Sequence, residues 1–324
     1  IPSGALGMEA LREIAERYRL RYVMLYREVL ANDSILTAVA WVAYKNVIPL
    51  LSADDCVCWP FFPDCHRLRP FLSASLVRSL VYTYAGLGLV SARLFWTRSF
   101  APGAAAFVAA TVLGTAIYLL DYRLRFNQTT MFGWVVITAW VVDKRRLEAL
   151  QLLIALFYFW AGTLKLDAEW MSGRALYGSP LFVPHAWLPA ASVYVVVLEL
   201  LLIWGLFARD VRWRWAVYLQ LLLFHIVSFG VVRWFYPLLM CGLTSIYPLV
   251  WKLAPERALT FARLRQALSP SRDPSESWRS TWAVAGAFSA FQLVPYLYPG
   301  DSAVTGEGRL FALHMFDARM QCTG

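Results

Sequence analysis

The residues of this chain that could do chemistry are ionisable side chains inside, or just beyond, long apolar stretches. Lys165 directly follows one such stretch, Glu199 lies within a second and His225 within a third. Ionisable groups in apolar surroundings are costly, so they usually face a partner or a cavity. We therefore take these three as candidate functional residues.

Lys165 has two interpretations. Its ammonium could reach out of the apolar stretch to lipid headgroups, and its position alone favours this. Alternatively, burial could hold Lys165 as a neutral amine, which can act as a base. Ala161 and Gly162, about one turn earlier, are small enough to let another helix approach. The sequence leaves both interpretations open.

The other polar candidates are equally ambiguous. His225 could be a neutral core histidine bonded to a helix carbonyl, or it could act in catalysis. Glu199 could simply lock a helix bundle. Asp121, Asn127 and Gln128 form a further polar group, at the end of an apolar stretch and in the turn that follows.

The composition predicts the elements that must position these residues. Of the 324 residues, 59% are hydrophobic and 16% are charged, whereas a soluble domain carries about 25% charge. We therefore expect an all-α, polytopic integral membrane helix bundle. The formal charge of +9 comes from short basic clusters between apolar runs, which favours anionic lipid headgroups of the bilayer as the partner and argues against nucleic acid.

Nine apolar stretches predict about nine transmembrane helices. They cover residues 36–51, 74–95, 102–120, 131–142, 147–164, 190–207, 215–232, 235–251 and 282–297. Several are shorter than the ~20 residues that a crossing needs, the first, fourth and ninth most clearly. The predicted organisation is an N-terminal segment with an amphipathic basic helix (1–34), a transmembrane domain (35–299) and an extracytoplasmic tail (300–324).

Charge alternation predicts the orientation. With the N-terminus inside, nineteen lysines and arginines lie in inner segments and nine in outer ones. Inner segments are normally the richer in Lys and Arg, so the C-terminus is predicted outside. The expected location is a bacterial inner or plasma membrane, or a eukaryotic endoplasmic reticulum membrane, with the active site towards the periplasm or lumen.

Cysteine positions agree with this orientation. Cys56, Cys58, Cys65 and Cys322 all fall on the predicted outer side, where disulfides persist. The pairing is open. A second ligand pair at the spacing of a zinc site is missing beside Cys56 and Cys58, so we predict disulfides and no metal.

The stretch from Ala161 to Trp170, in which Lys165 precedes Leu166-Asp167 and a tryptophan follows three residues after the aspartate, resembles the vitamin K-dependent γ-glutamyl carboxylases. The likeness continues through residues 65–83, 119–127, 224–225 and 235–237. Together these cover about residue 65 to the end. They are similar to the membrane domain that the carboxylases share with many bacterial relatives, the HTTM domain.

The resemblance implies a carbon–carbon lyase whose cofactor is reduced vitamin K or another membrane quinone, with O2 and CO2 as co-substrates. An amine deprotonates the quinone, and the anion reacts with oxygen to give a strong base. That base removes a γ-proton from a glutamyl side chain of a peptide or small molecule at the outer face, CO2 adds, and the quinone leaves as an epoxide.

The resemblance also implies roles for individual residues. Lys165 would be the base, Asn127 would lie near a quinone oxygen, and His225 would lie in the surrounding shell. The cofactor would contact a further set of residues: Asp121, Gln128, Trp160, Trp170 and Glu199. Arg309 and His314 belong to a stretch that loosely resembles the glutamate-recognition segment, so they are the expected substrate contacts.

One departure from the family concerns proton transfer. The carboxylases have a histidine where this chain has Gln128, and an amide cannot shuttle a proton at neutral pH. The alternative function is therefore a non-enzymatic HTTM membrane scaffold or accessory factor in peptide maturation. A transporter is less favoured because the two halves of the chain show no internal repeat, and thiol oxidation because the sequence has no Cys-x-x-Cys pair. The oligomeric state is open.

Overall fold

The computed structural model describes residues 58–59, 64, 67, 70–121, 124, 127–142, 145–174, 176, 182–232, 235–268, 278–297 and 312–313. Every regular element in these ranges is helical, which confirms the predicted all-α class. The chain divides into two compact units. One comprises Ile1–Asp121 with Ser245–Ala258, and the other comprises Tyr122–Thr244 with Leu259–Gly324.

The described part of the chain contains eleven α-helices. In chain order they are α1 (Ala74–Trp96), α2 (Phe100–Leu119), α3 (Asn127–Val141), α4 (Arg146–Thr163), α5 (Ala168–Met171), α6 (Leu188–Leu200), α7 (Val211–Val232), α8 (Phe235–Thr244), α9 (Ile246–Leu253), α10 (Phe261–Ala267) and α11 (Arg279–Leu293). Short 3₁₀ segments cover His185–Trp187, Leu202–Phe207, Pro255–Arg257 and Val294–Leu297.

In the first unit, α1 and α2 pack closely against each other. The Ser73 hydroxyl caps the start of α1 by accepting a hydrogen bond from the Leu76 amide at 3.2 Å. A Cβ at Gly114 of α2 would lie 2.6 Å from the Tyr84 ring, so only glycine permits this contact between the helices. Ser91 adds a buried hydrogen bond to the Gly103 carbonyl at 3.0 Å.

Helix α4 is the core of the second unit. Thirteen of its eighteen residues are buried, and it packs against α3, α6 and α11. A helix that is apolar on all sides is normally enclosed by other helices or by lipid, and here neighbouring helices enclose it. Because Lys165 follows α4 directly, the position of α4 carries Lys165 into the interior of the unit.

Three of the described helical segments are long and apolar enough to cross a membrane: Phe100–Leu119, His185–Phe207 and Val211–Val232. Only 22%, 39% and 22% of the residues in their most apolar windows are buried inside the described fold. This is compatible with a membrane protein. The nine crossings and the orientation stay predictions, and the first predicted crossing, at 36–51, lies outside the described residues.

The eighth predicted crossing, 235–251, is interrupted. Helix α8 ends at Thr244 and α9 begins at Ile246. Pro248 has no amide hydrogen, so it cannot continue the hydrogen bonds of a single helix through this point. At the end of α8 the Thr244 hydroxyl donates to the Met240 carbonyl at 2.7 Å. Hydropathy did not reveal this break because both sides of it are apolar.

Buried polar contacts fix the first turns of α4. Glu148 is 1% exposed, and its carboxylate lies 3.5 Å from the Arg263 guanidinium and 3.8 Å from that of Arg145. Gln151 accepts a hydrogen bond from the Leu259 amide at 3.0 Å. These contacts attach the segment before α10 to the central helix.

Candidate functional site

The candidate site is built around an ion pair between Lys165 and Glu199. The Lys165 ammonium lies 2.5 Å from both carboxylate oxygens of Glu199, and the two side chains are 3% and 2% exposed. Removing two charges from water is expensive, and only close geometry compensates for it. Lys165 therefore points into the interior of its unit, and its ammonium does not reach the surface.

A glycine makes this pair possible. A Cβ on Gly162 would lie 2.9 Å from the Cβ of Glu199 and 3.0 Å from the Leu200 side chain. Any larger residue would therefore push α4 and α6 apart. Helix α4 ends at Thr163, and the Lys165 amide bonds to the Gly162 carbonyl at 3.2 Å. This turn directs the lysine towards α6.

Two aromatic rings lie beside the ammonium. The ring centres of Trp170 and Phe224 lie 5.0 and 5.9 Å from the Lys165 nitrogen, within the range of cation–π attraction. Trp170 is fixed from two sides. Its amide donates to the Asp167 carboxylate at 2.6 Å, which caps α5, and its indole N–H donates to the Ser192 carbonyl at 3.1 Å.

His225 lies in the same interior and pairs with a tyrosine. The Tyr158 hydroxyl and His225 Nε2 are 2.6 Å apart, and His225 is fully buried. Its other ring nitrogen, Nδ1, has no hydrogen-bond partner among the described residues. Phe224 lies near both His225 and Lys165: its ring centre is 4.8 Å from that of His225 and 5.9 Å from the Lys165 nitrogen.

An apolar pocket opens beside these residues. It lies between the segment after α5, helices α6 and α7, and the start of α8, and its empty space is about 540 Å³ with the open mouth included. Its aliphatic walls include Ala191 and Val195. Trp170 and Phe224 belong both to these walls and to the surroundings of Lys165, so the same two rings connect the pocket with the ion pair.

One residue of the pocket wall has a buried hydroxyl without a partner among the described residues. This residue is Ser192, which is 1% exposed. The hydroxyl of Ser228, also on the wall, already donates to the His225 carbonyl at 2.9 Å. Buried hydroxyls are nearly always bonded, but the exposed surface of this pocket is entirely apolar, so the Ser192 hydroxyl does not open onto it.

The structure brings together only part of the predicted site. Glu199 and Trp170 contact Lys165, and His225 lies beside Phe224, whose ring centre is 5.9 Å from the Lys165 nitrogen. Asn127 and Gln128 begin α3 and are half-buried. The pocket walls include neither of these two residues, and they do not include Lys165, Glu199 or His225.

Trp160 and Asp121 are two further predicted contacts. Trp160 donates to the Ser289 hydroxyl of α11 at 3.0 Å, which makes it a link between helices. Asp121 is fully buried and belongs to the other compact unit.

Several predicted residues lie outside the described part of the chain. They are Arg309, His314, Cys56, Cys65 and Cys322, and their roles stay predictions. Cys58 is described and is disulfide-bonded, whereas Cys241 is a free thiol.

Tyr158 and Ser192 were not among the site residues predicted from the sequence. Tyr158 had a detectable signal, because Tyr158, Gly162 and Lys165 follow at intervals of four and three residues and so share one helix face. Ser192 had a similar spacing signal, because it lies seven residues before Glu199.

Comparisons of the chain with known protein families, with characterised proteins and with solved structures give no match.

Proposed function

We propose that this protein is a membrane enzyme of the vitamin K-dependent carboxylase type, in which Lys165 acts as a base on a reduced quinone. The observation that carries the proposal is the buried Lys165–Glu199 pair beside an apolar pocket, joined to it through Trp170 and Phe224. Dry surroundings suit this chemistry, because they protect a basic intermediate from water.

The pocket suits a reduced quinone. Such a molecule is a flat apolar ring with two hydroxyl groups, and ligand pockets are mostly apolar with a few well-placed polar groups. The aliphatic and aromatic walls would hold the ring. A lipid-soluble quinone could enter the pocket from the bilayer.

Glu199 provides the proton acceptor that Lys165 needs before it can act as a base. A protonated lysine cannot accept a proton, so the ammonium must first lose one. The Glu199 carboxylate, 2.5 Å away, is the natural acceptor. The neutral amine then takes the proton of a quinone hydroxyl.

The later steps follow from the resemblance. When bound, the reduced quinone would supply, together with O2, the strong base that takes the γ-proton of a glutamyl side chain before CO2 is added. We further propose nine crossings, with the site facing the periplasm or lumen. The buried pair supports the quinone step, whereas the glutamyl step has the support of the resemblance alone.

The test is turnover of a reduced quinone by purified protein in lipid nanodiscs. Vitamin K hydroquinone or a reduced menaquinone is supplied with oxygen, bicarbonate and a glutamyl peptide, and quinone epoxide and fixed CO2 are measured. We expect Lys165→Arg to reduce epoxide formation at least ~100-fold, because arginine keeps the positive charge but cannot act as a base. Lys252→Met, which removes an exposed lysine in α9, is the control.

Two results would contradict the proposal. One is the absence of epoxide from wild-type protein with every reduced quinone supplied. The other is equal turnover by Lys165→Arg and wild type. Because arginine can still pair with Glu199, loss of folding is not the expected cause of a decrease, and a thermal melt of each variant checks this.

A second candidate function is a non-enzymatic membrane scaffold. The observation in its favour is that the Lys165–Glu199 pair and the close approach of Gly162 to Glu199 both hold α4 against α6. In a scaffold the pair would serve packing alone. Lys165→Arg would then keep the protein's biological activity, whereas the enzyme proposal requires that it be lost.

A further inference from the structure

His225 has an unused hydrogen-bonding atom in the interior of the second unit. The side chain is fully buried, and no hydrogen bond to Nδ1 is found among the described residues. A buried polar atom without a partner costs free energy, so proteins rarely leave one unfilled. A bound molecule can supply the missing partner.

Tyr158 determines which atom His225 can offer. The Tyr158 hydroxyl lies 2.6 Å from Nε2. When the phenol donates this hydrogen bond, Nε2 is the acceptor, and the proton of the neutral ring is on Nδ1. Nδ1–H is then a hydrogen-bond donor without an acceptor in the part of the chain that the structure describes.

The donor lies in the neighbourhood of Lys165. The Phe224 ring is 4.8 Å from the His225 ring, centre to centre, and 5.9 Å from the Lys165 nitrogen. Tyr158 and Lys165 project from the same face of α4 and its C-terminal turn, seven residues apart. A molecule on which Lys165 acts would therefore come close to His225.

We propose that Tyr158 orients His225 so that its Nδ1–H donates a hydrogen bond to one hydroxyl oxygen of the reduced quinone. This is the oxygen from which Lys165 removes a proton. In this step the O–H bond of the substrate breaks and an N–H bond forms on the neutral Lys165 amine. The electron pair stays on the oxygen, and Nδ1–H stabilises the negative charge there. His225 is then a catalytic residue, and Tyr158 is a positioning residue. The inference rests on the proposed function.

Two substitutions of His225 separate catalysis from packing. Asparagine places an amide near the position of Nδ1, whereas glutamine places one near the position of Nε2. We expect His225→Gln, which keeps a partner for Tyr158 but removes the Nδ1 donor, to lower kcat about 10²–10³-fold. His225→Asn should retain at least about tenfold more activity than His225→Gln, because it keeps a donor near Nδ1. A purely structural role for His225 predicts the opposite order.

Tyr158→Phe tests the positioning role. It removes only the hydroxyl, so we expect a lower kcat with an unchanged KM for the quinone. The matched control is Tyr194→Phe, which removes another tyrosine hydroxyl bond in the same unit, the 2.7 Å contact with Gln220, and should leave kcat unchanged. Equal effects of the two variants, or His225→Gln being as active as His225→Asn, would overturn the inference.

A measurement without substrate distinguishes failure of this inference from failure of the proposed function. The chain has four histidines, so ¹⁵N-histidine labelling gives few signals, and the one that His225→Gln removes belongs to His225. We expect the ring proton of His225 on Nδ1 in wild-type protein. In Tyr158→Phe the proton should be shared between the two nitrogens. A proton on Nε2 in wild type would overturn the inference whatever the quinone assay shows, whereas absence of turnover with the proton on Nδ1 would contradict the proposed function alone.

Discussion

Glu199 holds Lys165 with both carboxylate oxygens, each 2.5 Å from the ammonium, although the two residues are 34 positions apart in the chain. One lies just after α4 and the other near the end of α6. The pair therefore fixes how two helices meet, and it also places a possible base next to a proton acceptor. The predictions below separate these two effects.

The first prediction concerns the stability contributed by the pair. Lys165→Met leaves a buried carboxylate alone, and Glu199→Leu leaves a buried ammonium alone, so each should destabilise the protein by about 3–5 kcal/mol. The double variant should recover most of that loss, because neither charge remains. Unfolding is measured for all four proteins in the same detergent. A double variant less stable than either single variant would contradict this explanation.

The second prediction concerns the contact that brings the helices together. Gly162→Ala would force a methyl group to within 2.9 Å of the Glu199 Cβ, and overpacking of this kind costs about 1–3 kcal/mol. Gly133→Ala in α3 is the control, because nothing lies within 4 Å of its added methyl group. That change should be neutral or stabilising by up to about 1 kcal/mol. Equal stability of the two variants would show that the close contact has no energetic importance.

Sequence reasoning found the individual members of the site for a general physical reason. An ionisable residue in an apolar run is conspicuous, and this alone singled out Lys165, Glu199 and His225. Which of these residues are in contact depends on how helices distant in the chain pack against each other. The spacing of residues along one sequence does not show this packing. The choice between a surface lysine and a buried one therefore required the structure.

The residues that sequence reasoning missed are inconspicuous ones. Tyr158 is one aromatic residue among several in α4, and Ser192 is a small residue near the start of α6. Their importance comes from the hydrogen bonds they make or lack, which hydropathy does not register. The interior position of α4 was hidden in the same way, because helices buried in protein and helices facing lipid are both apolar.

The third prediction concerns the attachment of the chain's C-terminal part to α11. The Leu313 amide donates to the buried Gln292 side chain at 2.8 Å. Gln292→Leu would leave this amide without its acceptor, at a cost of about 1–3 kcal/mol. We expect faster hydrogen–deuterium exchange at Leu313 and a lower unfolding temperature. Gln266→Leu, at an exposed position in α10, should change neither quantity.

The fourth prediction tests the pocket separately from the ion pair. Ala191 lines the pocket and lies eight residues before Glu199 on the same helix, so a larger side chain there would fill the pocket without touching the pair. Ala191→Trp should weaken binding of a reduced quinone at least about tenfold, which corresponds to about 1.4 kcal/mol. Binding is measured as the increase in melting temperature with quinone concentration.

The control for this prediction places the same side chain on the outer surface of the same helix. Val193 is 40% exposed and does not belong to the pocket walls, so Val193→Trp adds an indole to α6 without occupying the pocket. It should bind quinone as wild type does. If both tryptophan variants bind quinone normally, the quinone does not occupy this pocket, and the buried pair must act on a molecule that reaches Lys165 by another route.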